Sequence, residues 1–354
     1  MKIGLMGYGI VGRSVASILD ERKDTELKYI LELPEKCVQE RMVSDLDIIL
    51  NDEEISVVVD ALPAIHPSYE FIKKAILAGK NVVTSNKAAL SYGFEEILTL
   101  AAENHVCIKY EASCGGTIPD ITEAVRLSET NEITACYGIM NGTTNFILDS
   151  MEKNGSDFDE TLREAQKLGY AEADPTADIG GFDVKNKIAI LSATAYRGFV
   201  TTDFPVCGIE KITKDIIESF KKKNRMVKLL GLSLRKGERY ALGVVPVVLP
   251  LTSLEANVPK NFNIFTLKCS NAGDVKLYGQ GAGGYPTADA VVRDVLFMGS
   301  DIYSRPYFLN QLTYDESILT GTGYFNGNTK RGTLSELLKE AGDTFFAFEP
   351  DFLN

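Results

Sequence analysis

Three glycines at the start of the chain constrain its fold more than any other feature. Lys2-Ile-Gly-Leu-Met6 reads as a short buried strand. Gly7-Tyr-Gly-Ile-Val-Gly12 follows, and the stretch from Val11 to about Asp20 reads as a helix with Val15, Ile18 and Leu19 on one face. A strand that turns straight into a helix at G-x-G-x-x-G needs Gly7 for the tight turn. Gly9 lets the backbone approach a pyrophosphate, and Gly12 lets the helix pack closely on the strand. The free N–H groups and dipole of the helix N-terminus then favour an anion. The turn comprising Gly7, Gly9, Ile10, Val11 and Gly12 is therefore the candidate dinucleotide-binding element. Outside this strand–turn–helix setting the same spacing would mean only a glycine turn.

The pattern continues in the same rhythm. Strands are expected at Leu27–Leu31, Ile55–Ala61, Asn81–Thr84 and Val106–Tyr110, with helices at about Pro67–Ala78 and Phe94–Asn104. Alternation of this kind implies an α/β fold with a Rossmann-type doubly wound parallel sheet, whose ligands bind at the strand ends. Glu32 ends the second strand about 20 residues past the glycines. There it suits the free ribose hydroxyls of NAD and would repel a 2′-phosphate, though a solvated strand-end glutamate would look the same. Thr84-Ser-Asn-Lys87 ends another strand. Lys87 could reach a phosphate, the nicotinamide amide or a carbonyl oxygen, or be a surface lysine. Glu111-Ala-Ser-Cys-Gly-Gly-Thr-Ile-Pro119 ends a third, with glycines that suggest a sharp turn whose carbonyls could line a cation, or a loop needing positive φ.

From about Asn131 the pattern changes. Ile133–Met140 reads as a strand leading to Asn141-Gly-Thr-Thr-Asn145, with Thr143 or Thr144 as the cap of a helix Asn145–Lys153. A helix at about Phe158–Leu168 precedes Gly169-Tyr-Ala-Glu-Ala-Asp-Pro-Thr-Ala-Asp-Ile-Gly-Gly-Phe-Asp-Val-Lys-Asn-Lys187. This run gathers Glu172, Asp174, Asp178 and Asp183 in a glycine-broken loop before an apolar helix. So much negative charge between apolar elements reads as the rim of a site. Asp183 and Lys187 are i and i+4, on one helix face. As a surface ion pair they would contribute only about 0.3–0.5 kcal/mol. A helix at about Lys214–Leu230 and short strands at Tyr240–Leu249 and Phe262–Cys269 complete a second, α+β domain serving catalysis and dimerisation. Tyr278-Gly-Gln-Gly-Ala-Gly-Gly-Tyr-Pro-Thr-Ala-Asp289 reads as a hinge returning the chain to the nucleotide domain, before a helix from about Pro286 to Tyr303. The expected division is 1–130 plus about 286–354 for dinucleotide binding, and 131–285 for the substrate. The last fifty residues read as ordered coil and strand with one helix at about Leu334–Ala341.

Composition narrows the partners. A net charge of −12 disfavours nucleic acid and anionic membranes. No apolar run reaches the roughly 18–20 residues that span a bilayer. The first residues enter a strand directly, so no signal peptide is expected, and the six scattered cysteines fit reduced cytoplasmic thiols rather than a zinc site. With only His66 and His105 present, chemistry that rests on histidine is poorly supplied.

Taken together, Gly7–Gly12, Val83-Thr-Ser-Asn-Lys-Ala88, Tyr110–Pro119, Ile139–Asn145, the 169–187 run and Tyr278–Asp289 resemble the homoserine dehydrogenase family in order and spacing over about residues 1–300. The resemblance implies NAD(P)-dependent interconversion of homoserine and aspartate 4-semialdehyde. It implies Lys187 as proton donor and acceptor, Asp183 orienting it and contacting substrate, and Glu172 holding the substrate ammonium, with Asp178 a further substrate contact. Lys87 would lie near nicotinamide and substrate, and Thr84, Gly281 and Gly283 would touch the cofactor. Glu111 with the carbonyls of Cys114, Gly116 and Ile118 resembles the family's site for a monovalent cation, Na⁺ or K⁺. Glu32 stands where many members carry a basic residue, which favours NAD over NADP. The residues after about 304 are too few for the regulatory module many members append, and a homodimer is expected. Ser113, Cys114 and Asp120 depart from the family pattern, so a relative acting on another small aldehyde or ketone stays open, as does a non-catalytic NAD-binding sensor. Retention of Glu172, Asp183 and Lys187 together speaks against the sensor.

Overall fold

The computed structural model describes residues 1–298 and 308–353, which divide into two compact units: Met1–Arg126 with Ala282–Leu309, and Leu127–Gly281 with Asn310–Asn354. In the first unit, strands β1 (Lys2–Met6), β2 (Glu26–Leu31), β3 (Met42–Val43), β4 (Ile55–Asp60), β5 (Asn81–Thr84) and β6 (Ile108–Lys109) form one parallel sheet in the order 3-2-1-4-5-6. Helices α1 (Ile10–Asp20), α2 (Leu46–Leu50), α3 (Ile65–Leu77), α4 (Lys87–Tyr92), α5 (Phe94–Glu103) and α6 (Asp120–Ser128) alternate with them. This is the doubly wound arrangement expected from the alternating pattern. The order reverses at β1/β4, where such sheets bind nucleotides. Strands buried on both faces explain the unbroken Val57-Val-Val59 and the fully buried Ile3 and Leu5.

In the second unit, β7 (Ile133–Ile139) leads to α7 (Gly142–Asn154), α8 (Phe158–Lys167), α9 (Thr176–Ile179), α10 (Phe182–Tyr196) and α11 (Lys214–Lys221). Strands β8 (Arg225–Lys236), β9 (Arg239–Pro250), β10 (Phe262–Cys269) and β11 (Gly273–Gln280) follow. After α12 (Gly284–Leu296), which belongs to the first unit, come β12 (Thr313–Tyr314), β13 (Thr320–Phe325), β14 (Asn328–Thr333), α13 (Leu334–Ala341) and β15 (Ala347–Pro350). The second sheet runs β11-β10-β7-β8-β9-β15-β13-β14, with β12 pairing β9. One face carries a core of Tyr137, Ile139, Leu230, Leu232, Val245, Ile264, Phe346 and Phe348, and α10 packs on the other, where a Cβ on Gly231 would meet Ile188 and Val184.

Several expectations need correction. The helix expected over Lys214–Leu230 ends at Lys221. Asn224 adopts a left-handed φ of 55°, and Met226–Leu234 is buried and pairs residue for residue with β9. Helix α7 begins at Gly142, not Asn145, because the cap is Asn141, whose Oδ1 accepts from Thr144 N at 2.9 Å. Helix α12 begins two residues before Pro286 and ends at Leu296, and the rest of the expected span to Tyr303, beyond Met298, lies outside the described residues. The segment from Asn310 belongs to the second unit rather than the first, because β13 to β15 extend its sheet through β15 beside β9. Helix α13 spans Leu334–Ala341 as expected, with Thr333 and Glu336 forming a capping box.

Candidate active site

The first unit shapes its glycine turn by close contact. Gly7 has φ 92°, and a Cβ on Gly12 would lie 2.1 Å from the Gly7 carbonyl oxygen. Gly9, by contrast, faces open space: nothing lies within 4 Å of where its Cβ would be. It precedes α1 with no side-chain cap, so the first N–H groups of that helix, at Ile10 and Val11, are left for a ligand. Ile10 is 80% exposed, an aliphatic side chain left open at the mouth of the turn. Glu32, at the end of β2, accepts Tyr8 N at 3.2 Å and Leu33 N at 2.9 Å, so its carboxylate stands beside the turn. An open, uncapped helix N-terminus with an acid beside it fits a dinucleotide.

A buried network supports the neighbouring strand ends. Asp60 receives Ser68 Oγ at 2.7 Å, Thr84 Oγ1 at 2.8 Å and Leu62 N at 3.2 Å. Thr84 accepts Asn86 N, and Asn86 caps α4 at Ala89 N while donating to the Leu62 and Ala64 carbonyls. This network sets Lys87, half-buried, at the first position of α4. The Thr84 hydroxyl thus links Asp60 to the cap of α4, donating to the carboxylate and accepting from Asn86 N. Burial raises the Asp60 carboxyl to about 6 despite its three donors. The folded chain therefore binds that proton more tightly than the unfolded chain, and stability falls as pH rises from about 4 to 6. The difference in unfolding free energy between wild type and Asp60→Asn is expected to change by on the order of 3 kcal/mol across that window in urea titrations. Parallel pH profiles for the two proteins would contradict it.

Glu111 is also buried. Its carboxylate accepts Ile121 N at 3.0 Å, Thr122 N at 2.9 Å and the Thr122 hydroxyl, and so holds the start of α6. Burial raises its pKa against those donors. Its backbone N–H donates to Asp294 Oδ2 of α12 at 2.9 Å, and Arg293 donates to the Thr117 carbonyl at 2.9 Å, so α12 braces the loop through Cys114, Gly116 and Ile118. The Ile118 carbonyl accepts Asp120 N at 2.9 Å. Burial and Glu111 push Asp294 up to about 7. Among the described residues no group of three or more His, Cys, Asp and Glu side chains is placed to hold a metal. All six cysteines are free thiols.

In the second unit the acidic run folds into a compact cluster. Gly181, φ 84°, turns the chain into α10, which places Asp183 in its first turn and Lys187 one turn on. Lys187 Nζ lies 2.8 Å from Asp183 Oδ2 and donates to the Met140 carbonyl at 2.7 Å, both side chains being more than nine-tenths buried. Asn141 Nδ2 donates to Asp183 Oδ2 at 2.9 Å and to Asp178 Oδ1 at 2.7 Å. Thr143 Oγ1 lies 2.5 Å from the Tyr170 carbonyl and 3.1 Å from Asp178 Oδ2. Burial, then the charge on Asp183, raise the Asp178 pKa, while Asn141, Lys187 and Thr143 oppose the rise. With both carboxylates ionised the cluster carries one more negative than positive charge, an arrangement that favours a further cation. Asp174 stands apart: its Oδ1 accepts Thr176 N and Oγ1, so it closes the turn before α9.

The structure thus brings together Asp178, Asp183 and Lys187. It leaves Glu172 exposed, with no hydrogen bond from its carboxylate to that cluster. Asn141, which joins the two aspartates, escaped the sequence reading, although the Asn-Gly-Thr-Thr-Asn run after a strand was its signal. Gly281 packs on Asn263, and Gly283, φ 131°, precedes α12, which lies along α1 in the first unit with Tyr285 Oη 3.4 Å from Ser17 Oγ.

A 3-2-1-4-5-6 parallel sheet with an open glycine turn, and a buried lysine held between a carbonyl and a carboxylate, define an NAD(P)-dependent dehydrogenase. Residues 7–111 match the family model described as homoserine dehydrogenase, NAD binding domain, and residues 119–296 the one described as homoserine dehydrogenase. The chain belongs to the homoserine dehydrogenase family. It is 36% identical to homoserine dehydrogenase of Corynebacterium glutamicum over 315 residues, 83% of this chain and 71% of that protein. A homoserine dehydrogenase structure from Thiobacillus denitrificans superposes with TM-score 0.85 at 30% identity, covering 91% of this chain and 81% of that one. A hyperthermophilic archaeal homoserine dehydrogenase in complex with NADPH superposes with TM-score 0.72 at 25% identity, covering 84% and 97%. Among the described residues no helix is long and apolar enough to cross a membrane.

Proposed function

We propose that this protein interconverts L-homoserine and L-aspartate 4-semialdehyde, with Lys187 delivering and removing the proton. The observation that carries this reading is the buried contact of Lys187 with Asp183 and the Met140 carbonyl. Reduction of an aldehyde needs a hydride at carbon and a proton at oxygen. When bound, the nicotinamide supplies or accepts the hydride. Lys187 gives its ammonium proton to the forming alkoxide, and as the neutral amine takes it back from the alcohol in the reverse direction. Asp183 and the Met140 carbonyl fix the amine and hold it ready to recharge. The surplus negative charge of Asp178 and Asp183 suits the α-ammonium of the substrate, with Glu172 reaching the same group from the exposed loop. Lys87 would add a second positive charge near the reacting centre.

Glu32, standing beside the glycine turn, favours NAD: its carboxylate accepts a ribose hydroxyl and repels a 2′-phosphate. Absorbance at the NADH band with homoserine, run with each dinucleotide, tests both statements. Turnover with neither overturns the activity, and a preference for NADP overturns the role of Glu32. Glu32→Arg is expected to move the ratio of kcat/KM for NADP over NAD by about tenfold or more, since one like-charge repulsion becomes an attraction. An unchanged ratio would place the discrimination elsewhere. The carbonyls of Cys114, Gly116 and Ile118, anchored by Glu111, would hold a Na⁺ or K⁺ ion that ties down this loop. The enzyme would act in the cytoplasm as a homodimer, the half-exposed edge strand β11 being open to a second copy.

A further inference from the structure

Among the described residues of the second unit, the hydroxyl of Ser192 in α10 and the amide of Asn263 are buried without a hydrogen-bond partner, and only the amide leaves both a donor and an acceptor of fixed geometry unmet. Asn263, in β10, is 1% exposed, and neither Oδ1 nor Nδ2 has a hydrogen-bond partner among the described residues. Buried amides are ordinarily bonded, because drying a donor and an acceptor without replacement is costly. Its neighbour Asn145 follows the rule: Nδ2 meets the carbonyls of Val258, Lys260 and Phe262, and Oδ1 accepts from Lys228.

The position of Asn263 says where its partner comes from. Asn263 pairs with Gly279 of β11, and Ile264 pairs with Ile139 of β7. Continuing the antiparallel register by one residue sets Asn263 opposite Met140, and opposed residues point to the same face. Ile264 and Ile139 face the apolar core, so Asn263 and Met140 face the α10 side. There Met140 Sδ, Val184 and Ile188 crowd together over Gly231. Met140 is the residue whose carbonyl holds Lys187. Asn263 therefore lies on the Lys187 side of the sheet, one strand from the anchor of that lysine. The backbone is shaped around it: a Cβ on Gly281 would fall 1.9 Å from Nδ2, so residue 281 must be glycine for the amide to stand there.

We propose that Asn263 is a substrate-binding residue whose amide hydrogen-bonds the reacting oxygen, the hydroxyl of homoserine or the carbonyl of the semialdehyde, alongside Lys187. This rests on the proposed reaction. An aldehyde oxygen gaining negative charge offers a second lone pair, and a neutral donor fixed before the reaction stabilises that charge. A hydroxyl both donates and accepts, as the amide does.

The test compares wild type with Asn263→Leu and Asn263→Ala in the full chain. Readouts are thermal unfolding, homoserine kinetics, and binding of homoserine and of L-2-aminobutyrate, the same skeleton without the hydroxyl. Asn263→Leu should unfold at or above the wild-type temperature, since an unmet amide becomes an apolar group of similar size. Its kcat/KM should fall about 100-fold. Homoserine affinity should fall about tenfold in both variants while that for 2-aminobutyrate holds. Lower stability with unchanged activity per folded molecule would make the amide structural and overturn the proposal. Equal loss for both ligands, or loss confined to the dinucleotide, would overturn it too. Wild-type turnover with unaltered variants removes this proposal alone; a wild type inert toward homoserine removes the functional reading, and this proposal with it.

Discussion

Lys187→Ala is expected to lower kcat for homoserine by about 10³-fold or more, within the range that general acid–base groups contribute. Dinucleotide binding, measured by fluorescence titration, should stay near the wild-type value, because Lys187 belongs to the second unit and the glycine turn to the first. The substitution also leaves Asp183 buried without its ammonium. Removing one partner of a buried pair costs about 3–5 kcal/mol, here softened by the Asn141 amide that still donates to the same oxygen. Lys187→Arg separates the two effects. Its guanidinium keeps a positive charge for Asp183 but holds its proton at any working pH. That variant should therefore regain part of the lost stability and still fail to turn over. Activity retained in either variant would remove Lys187 as the acid.

The second large effect contrasts two glycines three residues apart. Gly9→Ala is expected to leave thermal stability unchanged, since its φ of −76° suits alanine and the added methyl meets nothing. The methyl would occupy the space a pyrophosphate needs, and NAD affinity should fall about 100-fold, the equivalent of two lost or strained hydrogen bonds to phosphate. Gly12→Ala should do the reverse in order of cause. Its methyl would strike the Gly7 carbonyl, so α1 must move off β1 and stability falls before any ligand is added. Calorimetry beside the NAD titration distinguishes them. A Gly9→Ala protein that binds NAD normally would show that the turn does not cradle the phosphates.

The places where sequence reading failed share a cause. Met226–Leu230 reads as a continuation of the helix because a strand buried on both faces shows no alternation, and only its pairing with β9 reveals it. The strands after Asn310 read as part of a coil-and-strand segment attached to the nucleotide unit. Their identity comes from β15 lying beside β9, a partner about a hundred residues earlier. Thr143 and Thr144 read as caps of α7 because their hydroxyls can accept there, yet Asn141 takes that place. The choice was made by geometry that also turns the Asn141 amide onto two aspartates 37 and 42 residues away.

Local rules determined what short stretches of the chain could become. G-x-G-x-x-G between a strand and a helix has one economical conformation, and alternating short strands and helices close into one kind of sheet. Asp183 and Lys187 share a face in any α-helix because its turn is 3.6 residues. Tertiary structure alone decided whether that pair is a solvated decoration or a buried acid. Lys187 is held because β7 ends at its tip with the Met140 carbonyl, and Asp183 because Asn141 spans to it from the start of α7. The same assembly left Glu172 outside and Asn263 inside without a partner. Burial and long-range hydrogen bonding depend on how distant segments pack, and no spacing along the chain encodes them.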